Sequence, residues 1–190
     1  MEDKERYMNI LGSIQREGIP EFMEWIQGTD FFEAPASANN HGAAPGMLCK
    51  HSLNTHDMAF VIHDSLVAAG VIQPISKESI ALSTLVHDVC KADFYTKTIS
   101  NRKNEETGKW EPYMRYTIKE KFCFGGHGSK SMYLVDHFVR LTPEEAVAIN
   151  CHMSSWDGNE YVGNAFQQFP LAWIVHAADE AATFLLESKK

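Results

Sequence analysis

The chain has 190 residues, enough for one domain with a sizeable core, and its apolar (44%) and charged (22%) fractions are those of an ordinary globular protein. A formal net charge of −8 argues against long nucleic acid bound along an extended surface, which calls for a basic face, but leaves room for a local basic pocket holding one phosphate. No apolar run reaches membrane-spanning length, the N-terminal MEDKERYM lacks a signal-type apolar core, and the four cysteines form no CxxC pair, so the sequence reads as a cytoplasmic protein with free thiols and no Cys-based zinc site.

Taken in order, residues 3–16 place Tyr7, Ile10, Leu11 and Ile14 on one face of a helix that Gly18 ends. Pro20 opens a second short helix carrying Phe22, Trp25 and Ile26, stopped by Gly28. Residues 29–48 are rich in Gly, Pro, Ala and Asn and have no period; they are expected to form an ordered loop over a site. Helical spacing resumes near 50 and runs to Ala69, with Gly70 closing it. Ser76 caps the next helix, which ends at His87 and Asp88. Alternation at 94–100 and 113–118, around a polar turn with Gly108, predicts a hairpin inserted at about 94–123, a lid, an oligomer contact or a plain surface excursion.

Ser129 is a candidate N-cap for a helix with Met132, Val135 and Val139. Thr142, Pro143 and Glu145 spell a capping box, and the helix they open ends near Cys151, His152 and Met153. A turn is expected at 156–159, and a last helix from Pro170 to about Glu187. The pattern predicts an all-α domain of about seven helices with one hairpin, a single unit over 1–190 whose first 28 residues are N-terminal helices.

Six side chains fall at helix ends, in adjoining loops or on apolar faces: His51, His87, Asp88, His127, His152 and Asp179. Burying neighbouring His and Asp without partners is costly, and a metal ion wants both. Asp179 amid Ala, Ile and Val poses the same problem. For His127 and His152 a loop position and a helix C-terminus offer a simpler account. This donor set suits one or two divalent ions of Fe, Mn, Co, Ni or Zn better than Ca. Ser129 and Lys130 follow a Gly-rich turn, a geometry open to phosphate or to plain capping. His41 sits in the 29–48 loop, in reach of a substrate or of solvent. His56 is placed near the ligands, His63 in core or surface, His137 in a structural position, and His176 beside Asp179. Cys49, Cys90 and Cys151 read as small buried thiols.

The order H…HD…H…H…D, with H-D-x-x-K, resembles the HD superfamily of metal-dependent phosphohydrolases. The resemblance covers about 40–180 through PASANNHGAAPGMLCKHSLNTH, LVHDVCK, GGHGSKS, INCHM and HAADEAA. It implies an HD-type helical bundle. It also implies one metal held by His51, His87, Asp88 and Asp179, with Asp88 bridging to a second held by His127 and His152. Lys91 would contact phosphate. Catalytic roles would fall to Asp88, Lys91 and His127, the last as general acid if it is not a ligand. Substrate contacts would fall to Lys91, Ser129, Lys130 and His41. Cys90 stands where the family pattern has glycine. The implied reaction is hydrolysis of a phosphate ester or anhydride, in a nucleotide or other small phosphometabolite. Two alternatives share the ligand set, a di-iron oxygenase and a non-catalytic nucleotide-binding regulatory protein, and a homo-oligomer remains open.

Overall fold

The computed structural model describes residues 2–39, 42–119, 123–154 and 160–188. Eight α-helices lie among them: α1 (Glu2–Gly12), α2 (Ile19–Gln27), α3 (Met47–Ala68), α4 (Lys77–Val86), α5 (His127–Asp136), α6 (Pro143–Cys151), α7 (Val162–Gln168) and α8 (Pro170–Ala181). Strands β1 (Tyr95–Lys103) and β2 (Trp110–Ile118) pair antiparallel along their full nine residues. The expected all-α class with about seven helices is therefore corrected to a largely helical fold of eight helices with a two-stranded antiparallel sheet. The helix without a sequence signal is α7. It buries none of its residues, so it has no apolar stripe from which a period can be read. The turn expected at 156–159 lies outside the described residues.

Long α3 is the spine, about 33 Å at 1.5 Å per residue, and packs on α4 and α8, while α6 packs on α5 and α8. Its end is a Schellman motif: the Val71 N–H donates to the Leu66 carbonyl (2.9 Å) and the Gly70 N–H to that of Val67 (3.0 Å), with Gly70 at φ 70°. One core cluster joins α1, α2 and α5 to the first half of α3 and to α4. A second joins Ala59 and Ile80 to Leu171, Ile174, Val175 and Ala178 of α8. Every residue of α4 from Ser79 to Val86 is buried. No described helix is long and apolar enough to cross a membrane.

Two polar ties fix the segments that carry the site. The Tyr7 hydroxyl donates to the Leu85 carbonyl (3.0 Å), bracing the turn at His87 from α1. Arg16 forms a two-pronged ion pair with Glu145 (2.7 and 2.6 Å). Glu145 also completes the capping box of α6, accepting from the Thr142 N–H (2.9 Å). At the crossing of α5 and α6, a Cβ on Gly128 would lie 2.4 Å from the Asn150 carbonyl oxygen. Only glycine lets the two helix ends approach that closely.

Candidate metal centre

Two histidines are set by the same local device. His87 and His152 are the C-cap residues of α4 and α6. Each donates from Nδ1 to the carbonyl three residues back, Thr84 and Ile149, both at 2.7 Å. The bond satisfies a terminal helix carbonyl and leaves Nε2 as the only nitrogen free to act as a ligand. Asp88 follows in the bend before a 3-10 turn, Val89–Lys91. His51 comes from the buried face of α3 and Asp179 from that of α8.

These side chains converge. His51 Nε2 lies 3.0 Å from Asp179 Oδ1, 3.2 Å from His87 Nε2 and 3.7 Å from Asp88 Oδ2. His87 Nε2 is 3.6 Å from Asp88 Oδ2 and 4.0 Å from Asp179 Oδ1. Metal bonds of about 2.1 Å put neighbouring donors ~3.0 Å apart in an octahedral shell and ~3.4 Å apart in a tetrahedral one, with opposite donors at ~4.2 Å. The separations fall in that range, and His51, His87 and Asp179 form one group whose donor atoms all lie within 4.8 Å of one another, with Asp88 Oδ2 beside it. On the far side of Asp88, Oδ1 faces His152 Nε2 at 3.5 Å. Both atoms are buried and neither has a hydrogen-bond partner. The Asp88 carboxylate raises the His152 imidazole against the cost of burial, so either a proton on Nε2 or a shared cation satisfies the pair. His87, Asp88 and His152 form a second group whose donor atoms lie within 4.8 Å of one another. Since His87 offers one nitrogen, it serves one ion only, and the second group by itself is a partial site.

The ionisable groups of the cluster shift one another strongly. His51 is flanked on both ring nitrogens, by Asp179 and by Glu187 (3.1 Å). Burial opposes its protonation, but the two carboxylates outweigh it and raise the imidazole to about 10. Burial pushes His87 down to about 4, with His152 and His51 adding to the effect. Asp88 is held well below the usual carboxylate range despite burial, by Lys91 and His87. Lys91 Nζ donates to Asp88 Oδ2 at 2.6 Å, and the lysine is raised in turn by that carboxylate against the cost of burial. Cys90 is pushed up to about 12, chiefly by burial, which leaves an inert thiol.

A cleft of about 340 Å³ opens onto these groups. Its walls include Ala36, Ser37 and Gly42 of the 29–46 loop, Lys91, Glu180 of α8, and Thr183, Phe184 and Glu187 beyond it. The loop thus borders the site, tied to the turn after His87 by Asp30, whose carboxylate accepts from the Asp93 N–H (2.6 Å). A larger groove between α1 and α2, about 660 Å³, brings together no ligand set.

Other expected site residues lie elsewhere. His127 starts α5 with Nδ1 3.8 Å from Cys90 Sγ, joins neither donor group and does not line the cleft. Helix α5 starts at His127 with Gly126 as N-cap, so Ser129 is an internal residue; its hydroxyl donates to Asn150 Oδ1 (2.8 Å). Lys130 stands over the Phe94 ring at 5.5 Å. Neither lines the cleft. His41 is outside the described residues. His176 donates to the His152 carbonyl (2.7 Å), and His56 pairs with Asp57. His63 bonds Asp64 and accepts from the Ile75 N–H.

Glu187 is the site residue without a sequence counterpart. It accepts from Asn54 Nδ2 (2.8 Å) as well as meeting His51. On continuous α spacing, eight residues put it roughly 80° around the helix from Asp179. A π-helical turn, Ala182–Leu186, closes with the Glu187 N–H on the Ala182 carbonyl (3.0 Å). Its slower winding, about 4.4 residues per turn, brings Glu187 back to the Asp179 face. Compared with family models, with curated proteins and with solved structures, the chain matches none of them.

The flanked imidazole has a measurable consequence. A protonated His51 cannot ligate, so metal loading must expel its proton. Because the folded group titrates near 10, apparent metal affinity is expected to rise through the neutral range, by up to about tenfold per pH unit from this group alone. Titration calorimetry between about pH 6 and 9, in buffers of different ionisation heat, reads the released proton. Affinity that is flat across that window removes His51 from the ligand set.

Proposed function

We propose that the chain is a metal-dependent phosphohydrolase of the HD type, acting on a phosphate ester or anhydride of a nucleotide or other small phosphometabolite. The observation that carries this reading is the convergence of buried His51, His87, Asp88, His152 and Asp179, of which His51, Asp88 and Asp179 line a cleft. His51, His87, Asp88 and Asp179 would hold one divalent transition ion, with His152 on the outer oxygen of Asp88. Such an ion supplies Lewis acidity to a phosphoryl oxygen and lowers the pKa of a water nucleophile.

The chain's own residues do the rest. Thr84 and Ile149 orient the two imidazoles through their carbonyls. Glu187 and Asn54 hold His51 from behind. Lys91 is, with the protonated form of His51, a cationic side chain among the described residues of the cleft wall. It keeps Asp88 ionised and stands where it can meet a phosphoryl oxygen. With the carboxylates of Glu180 and Glu187 also in the wall, the cleft favours a compact phosphate over a polyanion passing along the surface. A cleft of this volume holds one nucleotide-sized ligand.

The test is hydrolysis of a panel of nucleotides and phosphomonoesters with Mn, Fe, Co, Ni or Mg, wild type beside Asp88→Ala. Activity in the wild type alone supports the reading. Equal rates in both proteins end it.

A further inference from the structure

Neither strand of the hairpin buries a single residue, although an isolated two-stranded ribbon is marginally stable in water. Opposed residues share a face, and alternate positions along each strand follow them. One face carries five rungs: Tyr95 with Ile118, Lys97 with Tyr116, Ile99 with Met114, Asn101 with Pro112, and Lys103 with Trp110. The other face is Thr96, Thr98, Ser100 and Arg102 against Thr117, Arg115, Tyr113 and Glu111. All the large exposed apolar side chains of the arm are on the first face: Ile99 is 75% exposed, Trp110 69%, Ile118 58% and Met114 57%.

We propose that this face is a self-association surface, and that two copies of the chain dock arm against arm about a two-fold axis running along the Ile99–Met114 rung. The rung pattern is self-complementary about that axis. Ile99 meets Ile99 and Met114 meets Met114 at the centre. Outward from them Tyr116 meets Pro112, Lys97 meets Asn101, Trp110 meets Ile118, and the Lys103 ammonium meets the Tyr95 ring. No lysine opposes a lysine, and the face holds no acid, so an isologous contact buries no like-charge pair.

Charge favours a second copy joined through the arm. Residues 95–118 carry five Lys and Arg against three Glu, a net +2, and the rest of the chain carries −10 of the −8 total. Antiparallel arms with strands about 30 Å long keep two acidic bodies well beyond a Debye length of ~8 Å. A body-to-body dimer would press them together. The arm face is smaller than the ~800 Å² per partner of a standard interface, which sets a dimer of micromolar rather than nanomolar strength.

The experiment is sedimentation equilibrium of the full chain from low to several hundred micromolar, wild type beside the double variant Ile99→Asp, Met114→Asp, with circular dichroism as the check on folding. The expected result is a concentration-dependent wild-type dimer and self-association at least about tenfold weaker in the variant. In a Cys123→Ser background, Ile99→Cys is expected to form a disulfide between copies on mild oxidation and Ser100→Cys, on the opposite face, not to. A wild-type monomer at every concentration overturns the proposal. So does a dimer unaffected by the double variant, or equal cross-linking at 99 and 100. Binding of a single-stranded oligonucleotide by a chain that stays monomeric would assign the face to nucleic acid instead.

Discussion

Replacing Asp88 with alanine is expected to abolish metal binding and with it the thermal stabilisation that metal confers. His87 belongs to both donor groups, and Asp88 reaches to either side of it with different oxygens, Oδ2 toward His51 and His87 and Oδ1 toward His152. Loss of residues that merely support a ligand costs 10- to 100-fold in affinity, so loss of this ligand is expected to cost roughly 100-fold or more. An ion present at 1,000 times its Kd stabilises the folded state by about 4 kcal/mol, which for a domain of this size is a Tm shift of roughly 10 °C. The wild type should therefore lose that increment on chelation, while Asp88→Ala should carry no stoichiometric metal and melt alike with and without chelator. Asp88→Asn keeps the shape near Lys91 and separates charge from packing. Metal analysis and paired melts decide the matter: full metal content in both variants, or a wild type indifferent to chelation, removes the centre.

Much of this site was legible because its residues break local rules. A His–Asp pair ending an apolar helix, and a carboxylate amid the Ala, Ile and Val of α8, are costly to bury unless something gathers them. Those are the residues that the structure brings together with His51 and His152. The capping box at Thr142 and the stop at Gly70 were legible for the opposite reason, since each is a local rule obeyed. What escaped had no local signature. Glu187 reaches His51 only because a π turn rewinds the chain by most of a right angle, and a fixed 100° period cannot anticipate that. Ser129 reads as an N-cap in the sequence, but the cap is Gly126, three residues earlier, and the Ser129 hydroxyl turns to Asn150. Gly128 had a role that only the helix crossing reveals, as the point of closest approach to the Asn150 carbonyl.

The second large effect lies away from the metal centre, at Arg16 and Glu145. Glu145 is fully buried, and its carboxylate is shared between the guanidinium of Arg16 and the cap of α6. Arg16→Ala leaves that charge buried with the cap as its main partner, a loss of about 3–5 kcal/mol at neutral pH. Its pH dependence follows from the direction of the shift. Burial alone would raise the Glu145 carboxyl, but Arg16, Ser79 and the Thr142 N–H lower it below 4.5. A carboxylate whose folded pKa is depressed contributes stability above its unfolded pKa and loses it as pH falls through the folded value. The wild type thus holds the full contribution at pH 7 and sheds it below about 4. In Arg16→Ala the largest of the lowering contacts goes while the Thr142 N–H stays, and most of the acid-labile increment goes with it. Urea unfolding at pH 7 and again near pH 3.5 should show the gap between the two proteins wide at the first and clearly narrower at the second. A gap under about 1 kcal/mol at pH 7, the worth of an exposed pair, or one that stays constant with pH, would mean that Arg16 decorates the α6 cap rather than neutralising its buried charge.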